Sequence, residues 1–393
     1  MQTITWPTLE PFPWYRRMRD EAPVSYDAQR GSWNVFRFED VKRVLSDYAS
    51  FSSDFSGASG RSDQPLGSSI ISTDPPRHRQ LRSLVTQAFT PRAVQQLAPR
   101  IAELVEELLA AVAQRGSMDI IYDFAYPLPV IVIAELLGIP AQDRAQFKAW
   151  SDAIVTCSVD TSTGGGNVQQ QMGSYFPRLI AQRRQEPRDD LISGLLAAEI
   201  NGVRLSEVEL LGFCVLLLIA GNETTTNLIG NAVLCLHEQP DLQAQLLADP
   251  DLLTTLIEEV LRYSSPVQSM LRFATGDLEL AGQRIGLGEL AVASIGSANR
   301  DDSQFAEADR FVATRMPNQH PAFGHGSHFC LGAPLARLEA RLALSALVQR
   351  MPGLRRADEA ALEPMASTIV YGVQHLPVTF PTLHRSKRTT GAS

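Results

Sequence analysis

The sequence predicts a mainly α-helical protein with a small β region, folded as one large domain over residues 1–393. Three observations carry that prediction. From Pro75 onward, apolar residues recur at helical spacing through most of the chain. The stretch 267–295 instead alternates, and Gly276, Gly282, Gly286 and Gly288 break it into short strands and turns. No repeat, long linker or shift of composition divides the chain.

The elements follow in order. Pro23–Tyr26 and Ser32–Arg37 read as strands, with the Trp33-Asn-Val-Phe-Arg-Phe run marking a hairpin. A helix is expected over Phe38–Asp47. Residues 52–72 are rich in Ser, Gly and Asp, and read as a long loop. Asp74 then reads as the N-cap of a helix whose first turn holds Pro75 and Pro76. Thr90-Pro91 restarts a helix that runs to about Gln114. More helices are expected at 120–138, 142–157, 167–186 and 189–199, with Thr161–Asn167 as a flexible connection. Ser206 and Glu209 form a capping-box pattern, and the helix they open continues past His237. Another helix ends near Tyr263, and the polar tail after Leu383 is expected to fray.

Charge and cysteine usage narrow the function classes. Lys and Arg number 35 against 43 Asp and Glu, a net charge of -8. That balance argues against broad binding to nucleic acid or an anionic membrane. Cys157, Cys214, Cys235 and Cys330 lie far apart and form no disulfide framework, which points to a reducing compartment. The N-terminus shows no basic segment followed by an apolar stretch. The longest apolar run, Leu210–Ala220, falls short of the roughly 20 residues a membrane span needs. A cytoplasmic protein is expected.

The sharpest local signal runs from Ala322 to Pro334. A glycine-rich loop presents Cys330, and a helix with Leu335, Leu338, Leu342 and Leu347 on one face follows. A thiolate before a helix N-terminus sits near positive dipole, which lowers its pKa. Gly326 and Gly332 let backbone amides approach the sulfur. The residues alone allow three roles: a buried core cysteine, a nucleophile with His325 or His328 as base, or the thiolate ligand of a haem iron.

Three weaker patterns stand elsewhere. In Leu218–Thr225, Thr224 lies four residues after Ala220, so its hydroxyl can compete for that carbonyl. Gly221 beside it removes a side chain that would block a ligand. Glu259 and Arg262 lie at i,i+3 on one helix face, a common surface pair. His78 and Arg82 lie at i,i+4, and Arg272 falls in an expected strand. Arg77, Arg79, Arg337 and Arg341 add a basic face near the cysteine side.

The run Phe323-x-x-Gly326-x-His328-x-Cys330-x-Gly332 resembles the haem-binding signature of cytochromes P450 and matches it at every fixed position. The resemblance extends from the Trp33 hairpin to Leu376-Pro377-Val378, and includes Asn299-Arg300-Asp301. It implies the P450 fold, with a long central helix over haem b (iron protoporphyrin IX). Cys330 becomes the axial iron ligand, Phe323 packs beside the sulfur, and Ala220 and Gly221 border the haem. Glu223 and Thr224 match the family's acid–alcohol pair, which delivers protons to dioxygen. His78, Arg82, Arg272 and His328 fall where propionate ligands belong. Glu259, Arg262 and Arg310 match a fold-locking ionic network. Leu66, Leu216, Val267, Gln268, Ile369 and Val370 become walls of the substrate pocket.

The implied activity is a haem-thiolate monooxygenase that inserts one atom of dioxygen into a hydrophobic small molecule of terpenoid, steroid, fatty-acid or macrolide type. The length fits the haem domain alone, so electrons would come from a separate ferredoxin and ferredoxin reductase. Glycine-rich segments at 56–67 and 163–166 would form a mobile lid.

Overall fold

The computed structural model describes residues 7–55, 67–147, 149–150, 165–357 and 361–382, with the backbone alone for 165–170. The first third holds α1 (Phe12–Glu21), β1 (Val24–Asp27), β2 (Ser32–Val35), α2 (Phe38–Ser46), β3 (Phe51–Ser52) and α3 (Arg77–Ala88). It continues through α4 (Pro91–Gln96), α5 (Ala98–Val112), β4 (Ser117–Asp119), a π-helical turn at Ile120–Ala125 and α6 (Pro127–Leu136). Next come α7 (Gly165–Gln185), α8 (Leu191–Ala197), α9 (Glu207–Glu238), α10 (Asp241–Ala248) and α11 (Leu252–Tyr263). The last part holds β5 (Met270–Ala274), β6 (Leu278–Leu280), β7 (Gln283–Ile285), β8 (Leu290–Ala293), α12 (Ile295–Ala298), α13 (Ala333–Arg350), β9 (Arg355–Arg356) and β10 (Pro377–Thr379).

Helix ends follow local chemistry. At α9 both capping-box bonds form: the Ser206 hydroxyl accepts from the Glu209 amide, and the Glu209 carboxylate accepts from the Ser206 amide. The expected helix 90–114 is two helices, because Pro99 has no amide to continue the first. The expected helix 120–138 likewise divides at Pro127. Asp74 does not cap α3. Its carboxylate instead accepts from the Ser53 amide and the Ser52 hydroxyl, which ties the chain beyond β3 to the entry of α3.

The main sheet has the order β1-β2-β8-β5-β3, with β2 and β8 parallel and the other pairs antiparallel. This register sets Arg272 opposite Ala291, inside the sheet. Two apolar cores result. The larger joins α5, α6, α9, α11 and α13, and the smaller lies between the main sheet and α2. The 32-residue α9 is long and apolar enough to cross a membrane, yet Phe213, Cys214, Leu218, Leu228, Ile229 and Leu236 bury it in the larger core. The cysteine loop meets α3 through the His328 and His78 rings and lies within electrostatic reach of Arg272 on β5.

Candidate functional site

Loop geometry presents Cys330. The Cys330 amide donates to the Phe323 carbonyl (2.8 Å), closing the loop into a β-like clasp. Gly324 and Gly326 adopt φ of +77° and +73°, where side chains are strained. At Gly326 a Cβ would also stand 2.8 Å from the Ser46 Cα, so glycine lets the loop seat on α2. Cys330 is exposed as a residue while its sulfur sits deep among neighbouring atoms, and the Gly332 and Ala333 amides donate to that sulfur. Those amides do not give the low thiol pKa expected from the helix dipole. Burial pushes the thiol up, and the amides, Arg82 and Arg337 offset only part of that. A raised pKa disfavours a free thiolate nucleophile, whereas metal coordination deprotonates a thiol outright. Among the described residues there is no group of three or more His, Cys, Asp and Glu that could hold a metal ion.

Mid-α9 supplies the second part. The Thr224 hydroxyl donates to the Ala220 carbonyl (2.7 Å), as the spacing predicted. Ala220 is exposed although it lies in a core helix, so α9 opens there onto accessible space. Glu223 is half-buried, and burial raises its pKa. At Gly221 a Cβ would stand 2.3 Å from Ile133 Cδ1, so this glycine also lets α6 pack against α9.

The cationic residues converge. The His78 and His328 rings lie 4.1 Å apart between centroids, and His328 Nε2 stands 3.1 Å from the Ser53 hydroxyl. His78 is 1% exposed and neither ring nitrogen has a partner among the described residues. Burial, then Arg82, draws His78 down to about 4; burial, then His78, Arg272 and Arg82, draws His328 to about 3. Burial lowers Arg272 to about 10, and also lowers Arg82, on which Cys330 acts in the opposite sense. The buried Arg272 cation and the neutral, unpartnered His78 imidazole are each costly alone. A macrocycle carrying two carboxylates fits them, because it brings anionic acceptors to the donors that lack one.

The buried network forms with one change of member. Glu259 and Arg262 are fully buried and pair bidentately at 2.7 and 2.8 Å. Arg262 also donates to the carbonyls of Asn299, Ala308 and Arg310. Arg310 therefore joins through its backbone only. Its side chain is 68% exposed and pairs with Glu307. The third charge is Arg315, whose Nε lies 3.1 Å from both Glu259 carboxylate oxygens, and Asn318 adds a further bond. Glu307 sits at φ +50°, and this turn directs the Arg310 carbonyl inward and its side chain out.

Among the pocket walls, Leu216, Val267 and Val370 are partly buried, and Ile369 is exposed. Val267 and Val370 form a β-bridge. Gln268 is not a wall by its side chain: its amide donates to the Ser265 carbonyl and accepts from the Tyr15 hydroxyl, away toward α1. Leu66, most of the 56–67 segment and residues 163–164 lie outside the described residues. Sequence reasoning also missed Arg300, whose guanidinium lies 3.6 Å from the Phe12 ring centroid and 3.5 Å from that of Tyr263. It fastens α1 to α11, and the Asn-Arg-Asp triplet was its only visible signal.

The family model for cytochrome P450 matches residues 11–154 and 166–352. Cytochrome P450 109 of Bacillus spizizenii is 46% identical over 379 residues, covering 94% of this chain and 92% of that one. Erythromycin C-12 hydroxylase of Saccharopolyspora erythraea is 41% identical, covering 93% of each. The crystal structure of CYP109E1 from Bacillus megaterium in complex with testosterone superposes with a TM-score of 0.87 at 44% identity, covering 94% of this chain and 99% of that one. At such identity and coverage, this chain belongs to the cytochrome P450 family of haem-dependent monooxygenases.

Proposed function

We propose that this chain, as a single haem domain, hydroxylates a lipophilic molecule of steroid or macrolide size in the cytoplasm, with electrons from a separate ferredoxin and its reductase. One observation carries the reading: the Thr224 hydroxyl rests on the Ala220 carbonyl where α9 opens onto accessible space. Haem, when bound, supplies the redox chemistry that activates dioxygen. Cys330 would hold the haem iron through its sulfur, and the Gly332 and Ala333 amides would moderate its donation. His78, Arg82, Arg272 and His328 seat the propionates. Thr224 can release the Ala220 carbonyl and donate toward the reacting oxygen. Glu223, its pKa raised by burial, keeps a proton in reserve beside it.

The apolar residues Leu216, Val267, Ile369 and Val370 support a hydrophobic substrate, as do the testosterone complex of CYP109E1 and the name of the erythromycin hydroxylase. The test is optical titration of the holoenzyme with testosterone and with a macrolide. A low- to high-spin shift is expected with one of them, and saturating product formation should accompany it. In Thr224→Ala the same ligand should still bind, while most consumed electrons appear as peroxide. A spin shift with small polar acids only, or full coupling in Thr224→Ala, rejects the reading.

A further inference from the structure

Arg337 stands on α13 beside the cysteine loop, and nothing in the proposed chemistry employs it. Its guanidinium carbon lies 4.5 Å from the centroid of the Phe323 ring. Its Nε and Nη2 donate to the two Glu258 carboxylate oxygens at 2.7 and 2.8 Å. Such a fork fixes the plane of the guanidinium as well as its position. Glu258 itself is held on α11 by His320, whose Nε2 lies 3.2 Å away. The Ala322 amide donates to His320 Nδ1 (3.3 Å), so the proton sits on Nε2 and the imidazole donates to Glu258. Phe323 in turn offers its carbonyl to the Cys330 amide. The contacts run unbroken from Glu258 through Arg337 and Phe323 to the sulfur-bearing residue.

We infer that Arg337, clamped by Glu258 over Phe323, is a positioning residue that tunes electron donation by the Cys330 sulfur and with it the potential at which haem iron accepts its first electron. The ion pair is a dipole with its positive end toward Phe323 and the sulfur. Positive charge there stabilises sulfur-centred negative charge and weakens donation to iron, which favours the ferrous state. Glu258 stays ionised through the neutral range: against its own desolvation, it is drawn to about 2 by Arg337 and His320. A plain surface brace between α11 and α13 would need no aromatic ring beneath the cation.

The inference rests on Cys330 as the axial ligand, and the experiment separates the two. The ferric–ferrous potential of the substrate-free holoenzyme is measured by spectroelectrochemical titration, beside the absorption of its ferrous carbonyl form. Arg337→Gln should make reduction about threefold less favourable, a fall of about 28 mV at 59 mV per tenfold for one electron. Glu258→Gln leaves the cation without its counter-charge and should shift the potential upward by a similar factor. Arg341→Gln, on the exposed face of the same helix, should leave it within error. Opposite signs for the first two variants are expected, since damage to packing would not produce them. Shifts of the same sign, no shift, or an equal shift in Arg341→Gln overturn the inference while the ligand assignment stands. A ferrous carbonyl band not of thiolate type in the unmodified protein overturns both.

Discussion

Glu339 is the least comfortable residue in the molecule. It lies on α13, fully enclosed, and one carboxylate oxygen has no hydrogen-bond partner among the described residues. Burial pushes its pKa from 4.5 up to about 8. Unfolded, the group would ionise at its ordinary value. Between pH 4.5 and 8, therefore, the folded chain keeps a proton that the unfolded chain has lost, and stability falls as pH rises through that window. Glutamine keeps the shape and removes the ionisation. Glu339→Gln should stabilise the holoenzyme by about 2–4 kcal/mol at pH 7.5, from 1.36 kcal/mol per unit reduced for relaxation. At pH 5 the gain should shrink to less than about 1 kcal/mol. Urea unfolding at both values checks this, and equal gains would mean that the carboxyl is ionised in the fold. At this scale, legibility depended on contiguity. The cysteine loop could be read because its determinants are neighbours in sequence. Gly221 and Gln268 could not, since their environments come from Ile133 on α6 and Tyr15 on α1.

Elements were legible where a single local rule governed them. The capping box at Ser206 predicted the start of α9, and the Trp33 run predicted the β1–β2 hairpin. Periodicity alone carried two helices across Pro99 and Pro127, where the missing amides end them. The irregular segment after α12 shows the harder case. Arg310 and Arg315 are five residues apart, and only the turn at Glu307 decides which one reaches Glu259. That assignment has a direct consequence. Arg315→Ala removes charged hydrogen bonds from a buried carboxylate and should destabilise the holoenzyme by about 2–3 kcal/mol. Arg310→Ala loses only an exposed pair and should cost under about 0.5 kcal/mol. Paired denaturation curves decide it, and a larger effect at Arg310 would restore the assignment that sequence spacing favoured.

At the scale of the whole molecule, α3, β5 and the cysteine loop bring four basic side chains together. His78 and Arg82 come from the helical side, Arg272 from the sheet side, and His328 from the loop. Their convergence was invisible to spacing, because 250 residues separate His78 from His328; the family resemblance alone placed them together. Arg272 is the informative member. It is 3% exposed, its guanidinium donates to the Leu271 carbonyl, and burial draws its pKa to about 10. The sheet thus bears the desolvation of a cation that a bound carboxylate would offset under the proposed seating of the propionates. Arg272→Met keeps the volume and removes the charge, so the protein should retain its fold while it holds haem less tightly. Loss of haem to an excess of an acceptor protein should quicken about tenfold, equivalent to about 1.4 kcal/mol. Arg284→Met, exposed on β7 of the separate two-stranded sheet, removes the same charge without that contact and should leave the rate unchanged. Equal rates for both variants would detach Arg272 from the cofactor and leave the helical side and the loop to hold the propionates alone.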